Sequence, residues 1–217
     1  MPARTLQTDA FVLLKRPAAD TFQTFTVFSA EHGAMLVLQR VPKRPTSLSS
    51  AASKPTATQV GLDLFDEVSL WLETSNEGQT WFVKEPRLIA RHADIGRSYD
   101  ALRFASALAA LIARNPVHED SREQVAALLR MAFGAFGTAS RPDIVFFKSL
   151  YCFARDEGYP IKQQWIPTLS SADRTGVAAL LNQPLSAQSA FPKEVARLHQ
   201  RLEDYLRSNT EILMDPR

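Results

Sequence analysis

The hydrophobic period of this 217-residue chain changes once, near residue 94. Before that point, apolar residues come in short runs, partly alternating with polar ones and rich in β-branched and aromatic types, as in strands. After it they recur every three or four residues, as in amphipathic helices. One sequence pattern cannot satisfy both periods, so the chain must form two successive modules. We therefore expect an α+β protein with a strand domain over residues 1–90 and an all-helical domain over 91–217.

The first module reads as five or six short strands separated by turn signals. A turn at Glu31-His32-Gly33 joins two of them into a hairpin. Residues 42–58 are rich in Pro, Ser and Thr, have no period, and indicate a basic loop. Such spacing is typical of a small barrel or sandwich. The predicted strands cover residues 11–14, 21–28, 34–38, 60–65, 68–72 and 81–83.

Helix signals divide the second module into five segments. The first ends at Asn115, before a proline, and the second, capped by Asp120 or Ser121, stops at Gly137. The segment 144–153 is apolar on nearly all sides, which predicts the buried centre of the module. Ser170 or Ser171 is suited to cap a fourth helix over 172–181, and a last amphipathic helix places Val195, Leu198, Leu202 and Tyr205 on one face.

The composition excludes several classes of protein. The chain is 45% hydrophobic and 22% charged, as in ordinary globular proteins. It has no apolar run near the roughly 20 residues of a membrane helix, and its start lacks the apolar core of a signal peptide. The single cysteine, Cys152, excludes an internal disulfide and suits a reducing cytoplasm. One cysteine and four scattered histidines predict no structural zinc site.

No set of residues predicts catalysis, so we expect a protein that is not an enzyme and needs no cofactor or metal. Glycine-rich phosphate loops are missing from the sequence. Cys152 lies in the most apolar helix, which predicts core packing rather than a nucleophile. His32 falls in a surface turn and His199 on an exposed helix face. The acidic residues Asp63, Asp66 and Glu67 predict a solvated strand face, because alternation sends neighbours to opposite sides of a strand.

Charge is unevenly distributed along the chain. Residues 1–60 contain seven basic and three acidic residues, whereas residues 61–90 contain two basic and six acidic ones. A basic segment next to an acidic one can focus a polyanion onto one surface even when the net charge is only +2. Basic residues at strand ends and in a loop of a small barrel fit the electrostatic groove of single-strand DNA binders, and ordinary solvated charge is the other interpretation.

The order of these motifs resembles the bacterial RecO family of recombination mediators. The first segment is Ala10-Phe-Val-Leu-x-x-Arg-Pro-x-x-Asp-Thr21, followed by Val27-Phe-x-x-Glu-x-Gly33 and a basic segment that begins at Pro42-Lys-Arg. In the helical half, the apolar helix leads into Glu157-Gly-Tyr-Pro160. The resemblance covers most of the chain through the order of its motifs and its β-then-α layout.

This resemblance implies an N-terminal OB-fold β-barrel followed by an all-helical domain. It also implies a cytoplasmic, nucleoid-associated bacterial protein that acts in DNA repair and recombination. Such proteins bind single- and double-stranded DNA, anneal strands, work with RecR, and grip the acidic, apolar C-terminal tail of the single-stranded DNA-binding protein (SSB). Arg141 and Lys148 are the candidates for the SSB tail. The DNA-binding candidates are Lys15, Arg16, Arg40, Lys43 and Arg44.

The chain departs from the family pattern in two places. Many members carry a cysteine-rich zinc module after the Gly-Tyr segment, where this chain has residues 163–170 without cysteine. Members often have Gly-Ala-Arg after the third strand, where this chain reads Gln39-Arg40-Val41. These departures, with the acidic segment 61–90, keep an alternative open: a protein–protein adaptor that retains the RecO fold with little intrinsic DNA binding.

Overall fold

A computed structural model describes residues 4–18, 21–41, 61–74 and 79–214. The chain divides into two compact units, Met1–Arg91 and His92–Arg217. The first unit is a five-stranded closed barrel and the second consists of helices, which confirms the α+β prediction at this level. Among the described residues, no helix is both long and apolar enough to cross a membrane.

The barrel follows the strand order β1-β2-β3-β5-β4. Neighbouring strands are antiparallel except β3 and β5, which pair in parallel at two positions, Val37 with Trp81 and Leu38 with Phe82. Alternate side chains fill the interior, among them Val12, Phe25 and Leu70, each at most 1% exposed. The strands are β1 (Arg4–Lys15), β2 (Phe22–Ser29), β3 (Gly33–Arg40), β4 (Glu67–Thr74) and β5 (Trp81–Ala90).

The predicted strand over 60–65 is wrong for its described part, Gly61–Phe65, which lies in irregular and turn structure. Asp66 explains this geometry. Its carboxylate accepts a hydrogen bond from the Asp63 backbone N–H at 2.9 Å and a bidentate pair from Arg91 at 2.7 and 3.0 Å. Phe65, with a φ of 67°, makes the reversal just before it. A local turn anchored by a distant arginine replaces the regular strand that the apolar pattern suggested, and in this described stretch only Phe65 and Asp66 keep backbone hydrogen bonds to Val12 of β1, each at 2.9 Å.

The solvated face predicted for the carboxylates is also wrong. The Asp66 side chain is 1% exposed in the ion pair with Arg91, and Glu67 is buried as well. Only Asp63 is exposed, and its carboxylate meets the Lys15 ammonium at 3.1 Å. Within the described residues no group of three or more potential metal ligands occurs. Asp66 and Asp63 each form an ion pair between different parts of the barrel chain.

Six α-helices form the described part of the second unit. α3 contacts α1, α2, α5 and α6 and buries residues on several sides, including Ile144, Phe147 and Phe153, which confirms it as the centre. Short 3₁₀ turns connect several of the helices. The helices are α1 (Tyr99–Arg114), α2 (Arg122–Thr138), α3 (Pro142–Asp156), α4 (Ile161–Gln164), α5 (Ser171–Asn182) and α6 (Pro192–Asn209).

Two predicted helix caps have different outcomes. Ser170 caps α5, because its hydroxyl accepts the Asp173 N–H at 3.2 Å, as predicted. Ser121 precedes α2 without capping it: its hydroxyl lies within hydrogen-bond distance of two acceptors, the Glu157 carboxylate and the His118 carbonyl. A carboxylate 36 residues away in the chain therefore overrides the local preference.

Asp173 fastens α5 to α6. Its carboxylate is 4% exposed and accepts hydrogen-bonded ion pairs from Arg197 and Arg201, each at 2.6 Å. The hydrogen bond from Arg197 is the main reason that the pKa of Asp173 lies below its ordinary value, with Ser170 contributing. A depressed carboxyl pKa stabilises the fold above the unfolded-state pKa of about 4, and this contribution is lost as the pH falls through the folded-state value.

We expect Asp173→Asn to lower the melting temperature by several degrees at pH 7, since both arginines lose their anionic partner. The difference from the unsubstituted chain should shrink as the pH falls below about 4, where the carboxyl becomes protonated in both folded and unfolded chains. Circular dichroism melts across this range measure the effect. Asp156→Asn is the control, because the Asp156 carboxylate pairs with its chain neighbour Arg155 and joins no second helix. An equal difference at every pH would contradict the ionic role.

Candidate functional site

Three of the predicted DNA-binding residues lie at one end of the barrel. β1 ends at Lys15, and Arg16 follows it, its N–H donating to the Thr24 carbonyl on β2 at 3.0 Å. Arg40 closes β3 and pairs with Phe22, the first residue of β2. Since β1 and β3 both end beside the start of β2, the three side chains share this end, and all three residues are exposed. We call Lys15, Arg16 and Arg40 the basic end.

The cations of the basic end differ in availability. The Lys15 ammonium is paired with Asp63 at 3.1 Å, which offsets part of its charge. Within the described ranges, no carboxylate lies within ion-pair distance of Arg16 or Arg40. Exposed guanidinium groups of this kind can bind phosphate oxygens bidentately. The remaining two candidates, Lys43 and Arg44, lie outside the described residues.

The opposite end of the barrel carries a cavity of about 600 Å³ that the sequence analysis did not identify. The starts of β1, β3 and β5 line it, with the turn between β2 and β3 at its rim. We call this cavity the barrel mouth. Alternating apolar residues predicted these strands, but the mouth is formed by residues far apart in sequence. It is lined by Arg4, Thr5, Leu6, His32, Ala34, Met35, Leu36, Gln79 and Trp81.

The two predicted SSB-tail residues have different environments in the helical unit. Arg141 precedes α3, forms a bidentate ion pair with Asp143 at 2.8 and 3.0 Å, and donates to the Ala190 carbonyl at 2.6 Å. Lys148, two turns along α3, donates to the Gln183 carbonyl at 2.7 Å, and burial lowers the pKa of its ammonium. Only Arg141 lines a cavity with other cations.

That cavity, which we call the helical cleft, has a volume of about 450 Å³. It lies where the start of α1, the start of α3 and the first half of α6 meet. Its basic groups are Arg103, Arg141 and His199, and its acidic groups are Asp100 and Asp143. Apart from Ser140, apolar side chains make up the rest of the wall. They include Phe104, Pro142, Pro192 and Val195.

Aromatic contacts order the basic side of the helical cleft. The Arg103 guanidinium lies 4.1 Å from the centre of the Phe104 ring, while its NH2 group is 3.4 Å from the Asp100 carboxylate. Phe104 packs against Phe146. The centre of the Phe146 ring lies 5.1 Å from the centre of the His199 imidazole. Sequence reasoning did not bring these residues together, because they come from three helices, α1, α3 and α6, that are far apart in the sequence.

His199 is not exposed as predicted. Its side chain is 22% exposed, and its Nε2 lies 3.5 Å from the Glu203 carboxylate. Burial lowers the pKa of this imidazole below its ordinary value. The negative charge of Glu203 acts in the opposite direction, but its effect is smaller. The amphipathic pattern of α6 did not reveal this burial, because Phe146, which covers the ring, belongs to α3.

Cys152 and His32, which the sequence analysis considered for catalysis, lie in a helix and in a surface turn. Cys152 is half-buried on α3, and burial raises the pKa of its thiol, so the reactive thiolate is disfavoured. His32 is exposed in the turn before β3, with its Nε2 3.4 Å from the Glu31 carboxylate. Within the described part of the chain, neither residue lies with a second group in an arrangement that would activate it.

No protein-family model matches the chain, and no curated protein is significantly similar to it.

Proposed function

We propose that the protein is a DNA repair and recombination mediator of the RecO type, which binds single-stranded DNA, anneals strands, and engages SSB and RecR. The observation that carries the proposal is the basic end, where Arg16 and Arg40 are exposed without a described carboxylate partner. The barrel is proposed to be an OB-fold, a class of five-stranded barrels that bind single strands. Its strand order and its parallel β3–β5 pairing support this proposal.

The mechanism follows from electrostatics. Guanidinium groups at the basic end bind phosphates of one strand without reading its bases, so that affinity depends on salt rather than sequence. Neutralising one backbone reduces the repulsion that opposes pairing with a second strand, and double-stranded DNA binds by the same phosphate contacts. No cofactor or catalytic group takes part. Such a protein acts in the cytoplasm at the nucleoid, and RecR is included because of the family resemblance.

The helical cleft is the proposed site for the SSB tail. An acidic, apolar peptide end needs cations beside an apolar wall. Arg103 and Arg141 supply the cations, and Phe104 and Pro192 supply apolar surface. Each arginine already has a carboxylate partner, so the tail must compete with Asp100 and Asp143, which favours moderate affinity. Lys148 is outside this cleft and is not needed for it.

Titration of a fluorescein-labelled oligothymidylate with the full chain, at several salt concentrations, tests the DNA function. We expect the logarithm of the binding constant to fall linearly with the logarithm of the salt concentration, with a slope that counts the phosphates neutralised. No binding at low salt would overturn it.

The adaptor alternative is favoured by one observation, the pairing of Lys15 with Asp63, which removes charge from the basic end. In that case an SSB-tail peptide binds and the oligothymidylate does not. Titrating the same protein preparation with the labelled peptide and with the labelled oligothymidylate therefore distinguishes the two functions.

For the helical cleft, we expect Arg103→Glu to weaken binding of a labelled SSB-tail peptide at least tenfold, since it replaces attraction by repulsion beside the peptide carboxylates. Lys148→Ala is the matched control, because Lys148 lies on α3 outside the cleft, and it should change the affinity less than twofold. Anisotropy titration measures both. The reverse pattern would move the site to Lys148 and contradict the assignment to the cleft.

A further inference from the structure

Trp71 is a large aromatic side chain that the core of the barrel does not use. It lies in the middle of β4, between Leu70 and Leu72, which are fully buried in the core. Alternation along the strand therefore turns the Trp71 indole outward, and the residue is 51% exposed. Tryptophan is enriched among the residues that contribute most to binding at protein interfaces. An exposed tryptophan on a strand of a closed barrel is thus a rigid anchor for a partner.

Two carboxylates flank the Trp71 indole on the outer face of the sheet. Glu85 of β5 lies directly opposite Trp71, which places their Cβ atoms about 5 Å apart. On the other side, Gln7 of β1 lies opposite Trp71, and Asp9 is the next residue of β1 on the same face. Both acidic residues are exposed, and over the described part of the barrel neither carboxylate has a cation within ion-pair distance. We call Gln7, Asp9, Trp71 and Glu85 the outer tryptophan face.

The neighbouring charged residues leave the outer tryptophan face negative. Glu73 and Lys84 form an ion pair with each other and add no net charge. Arg87, two residues beyond Glu85 on β5, is exposed and has no carboxylate within ion-pair distance among the described residues. Its charge offsets one of the two unpaired carboxylates. The remaining negative charge next to an indole is complementary to a cation that can stack on the ring.

We propose that the outer tryptophan face binds a basic, arginine-containing segment of a partner protein. One guanidinium stacks on the Trp71 indole and donates hydrogen bonds to Glu85, while a second basic residue of the segment reaches Asp9. Arginine fits this face better than lysine, because its planar group covers an aromatic ring and also pairs with a carboxylate.

A nucleic-acid strand is a poorer occupant of the same face. A base stacks on an exposed indole, but the phosphates beside it would meet the two unpaired carboxylates. The inference goes beyond the proposed DNA function and does not depend on it, because none of the residues of the outer tryptophan face belongs to the basic end.

A phage-displayed library of random heptapeptides, selected on the full chain, tests this inference. Enriched sequences should contain arginine and a second basic residue. A fluorescein-labelled copy of the most enriched sequence should bind at least tenfold more weakly to Trp71→Ala and at least threefold more weakly to Glu85→Gln. Phe191→Ala is the matched control, since Phe191 is an aromatic residue of the second unit that is 77% exposed, and it should bind the peptide as the unsubstituted chain does.

Arg87→Gln is expected to change the affinity in the opposite direction. Removing this cation should tighten binding of the labelled peptide at least twofold, because the repulsion between two basic groups is lost. A nucleic-acid strand would instead bind more weakly to this variant. Weaker binding of the peptide to Arg87→Gln would contradict the proposed charge complementarity.

The indole N–H signals in NMR spectra report binding on the unsubstituted chain. The peptide should shift the signal of Trp71, which is identified by its loss in Trp71→Phe, and leave that of Trp165, which is 2% exposed, unchanged. Three results would each overturn the inference: no enriched basic sequence, enriched peptides that bind Trp71→Ala as well as the unsubstituted chain, or no shift of the Trp71 signal. An oligothymidylate that shifts this signal and binds Trp71→Ala more weakly would make the face a nucleic-acid site instead.

Discussion

Replacing both Arg16 and Arg40 by alanine is expected to weaken binding of a labelled oligothymidylate about a hundredfold. Hydrogen bonds to charged groups contribute roughly 1.5 kcal/mol each, about a tenfold change in affinity per arginine. Both side chains are exposed at the end of a strand, so their removal leaves the barrel core intact. Anisotropy titration at fixed low salt measures the change.

The salt dependence of the same variants gives an independent measure. Removing two phosphate contacts should reduce the slope of log K against log salt by about 1.4, since each contact with a single strand contributes roughly 0.7. Arg174→Ala is the matched control: Arg174 is an exposed arginine of α5 in the second unit, outside the barrel, and should alter neither value much. Lys15→Ala should have less effect than either arginine change, because Asp63 already engages the Lys15 ammonium. If the double variant binds as tightly as the unsubstituted chain, the basic end is not the DNA site.

Asp66→Ala is expected to reduce the free energy of unfolding of the barrel by roughly 2 to 3 kcal/mol, because it removes a buried, charged hydrogen-bond acceptor, while the half-exposed Arg91 side chain regains contact with water. The substitution leaves the Asp63 N–H without its acceptor and Arg91 without its carboxylate, although Arg91 keeps its hydrogen bond to the Gly61 carbonyl. That carboxylate is also the main reason the pKa of Arg91 is raised.

Urea unfolding followed by tryptophan fluorescence measures this loss, which corresponds to a midpoint shift on the order of 1 M. Asp63→Ala is the matched control, because its exposed ion pair with Lys15 should contribute less than 1 kcal/mol. Equal effects of the two substitutions would show that Asp66 is no more than a surface carboxylate, contrary to its 1% exposure.

The local patterns predicted elements whose determinants lie close together in the chain. Gly33, with a φ of 70°, makes the turn that joins β2 to β3, and Ser170 caps α5 three residues before the N–H it accepts. The apolar stretch that became α3 needed no partner to be identified as buried, because nearly every side of it is hydrophobic. Such features depend on backbone geometry and period alone.

The functional surfaces depend on contacts that sequence spacing does not record. Asp66 is buried because Arg91, 25 residues later, reaches its carboxylate, and this contact makes a turn where alternation predicted a strand. The helical cleft joins Arg103, Arg141 and His199 from three helices, and Phe146 of α3 covers an imidazole that α6 alone would expose. The period of a sequence determines which face of each element is apolar. Only the packing of those faces decides which charged groups meet, which are buried, and where a cavity remains.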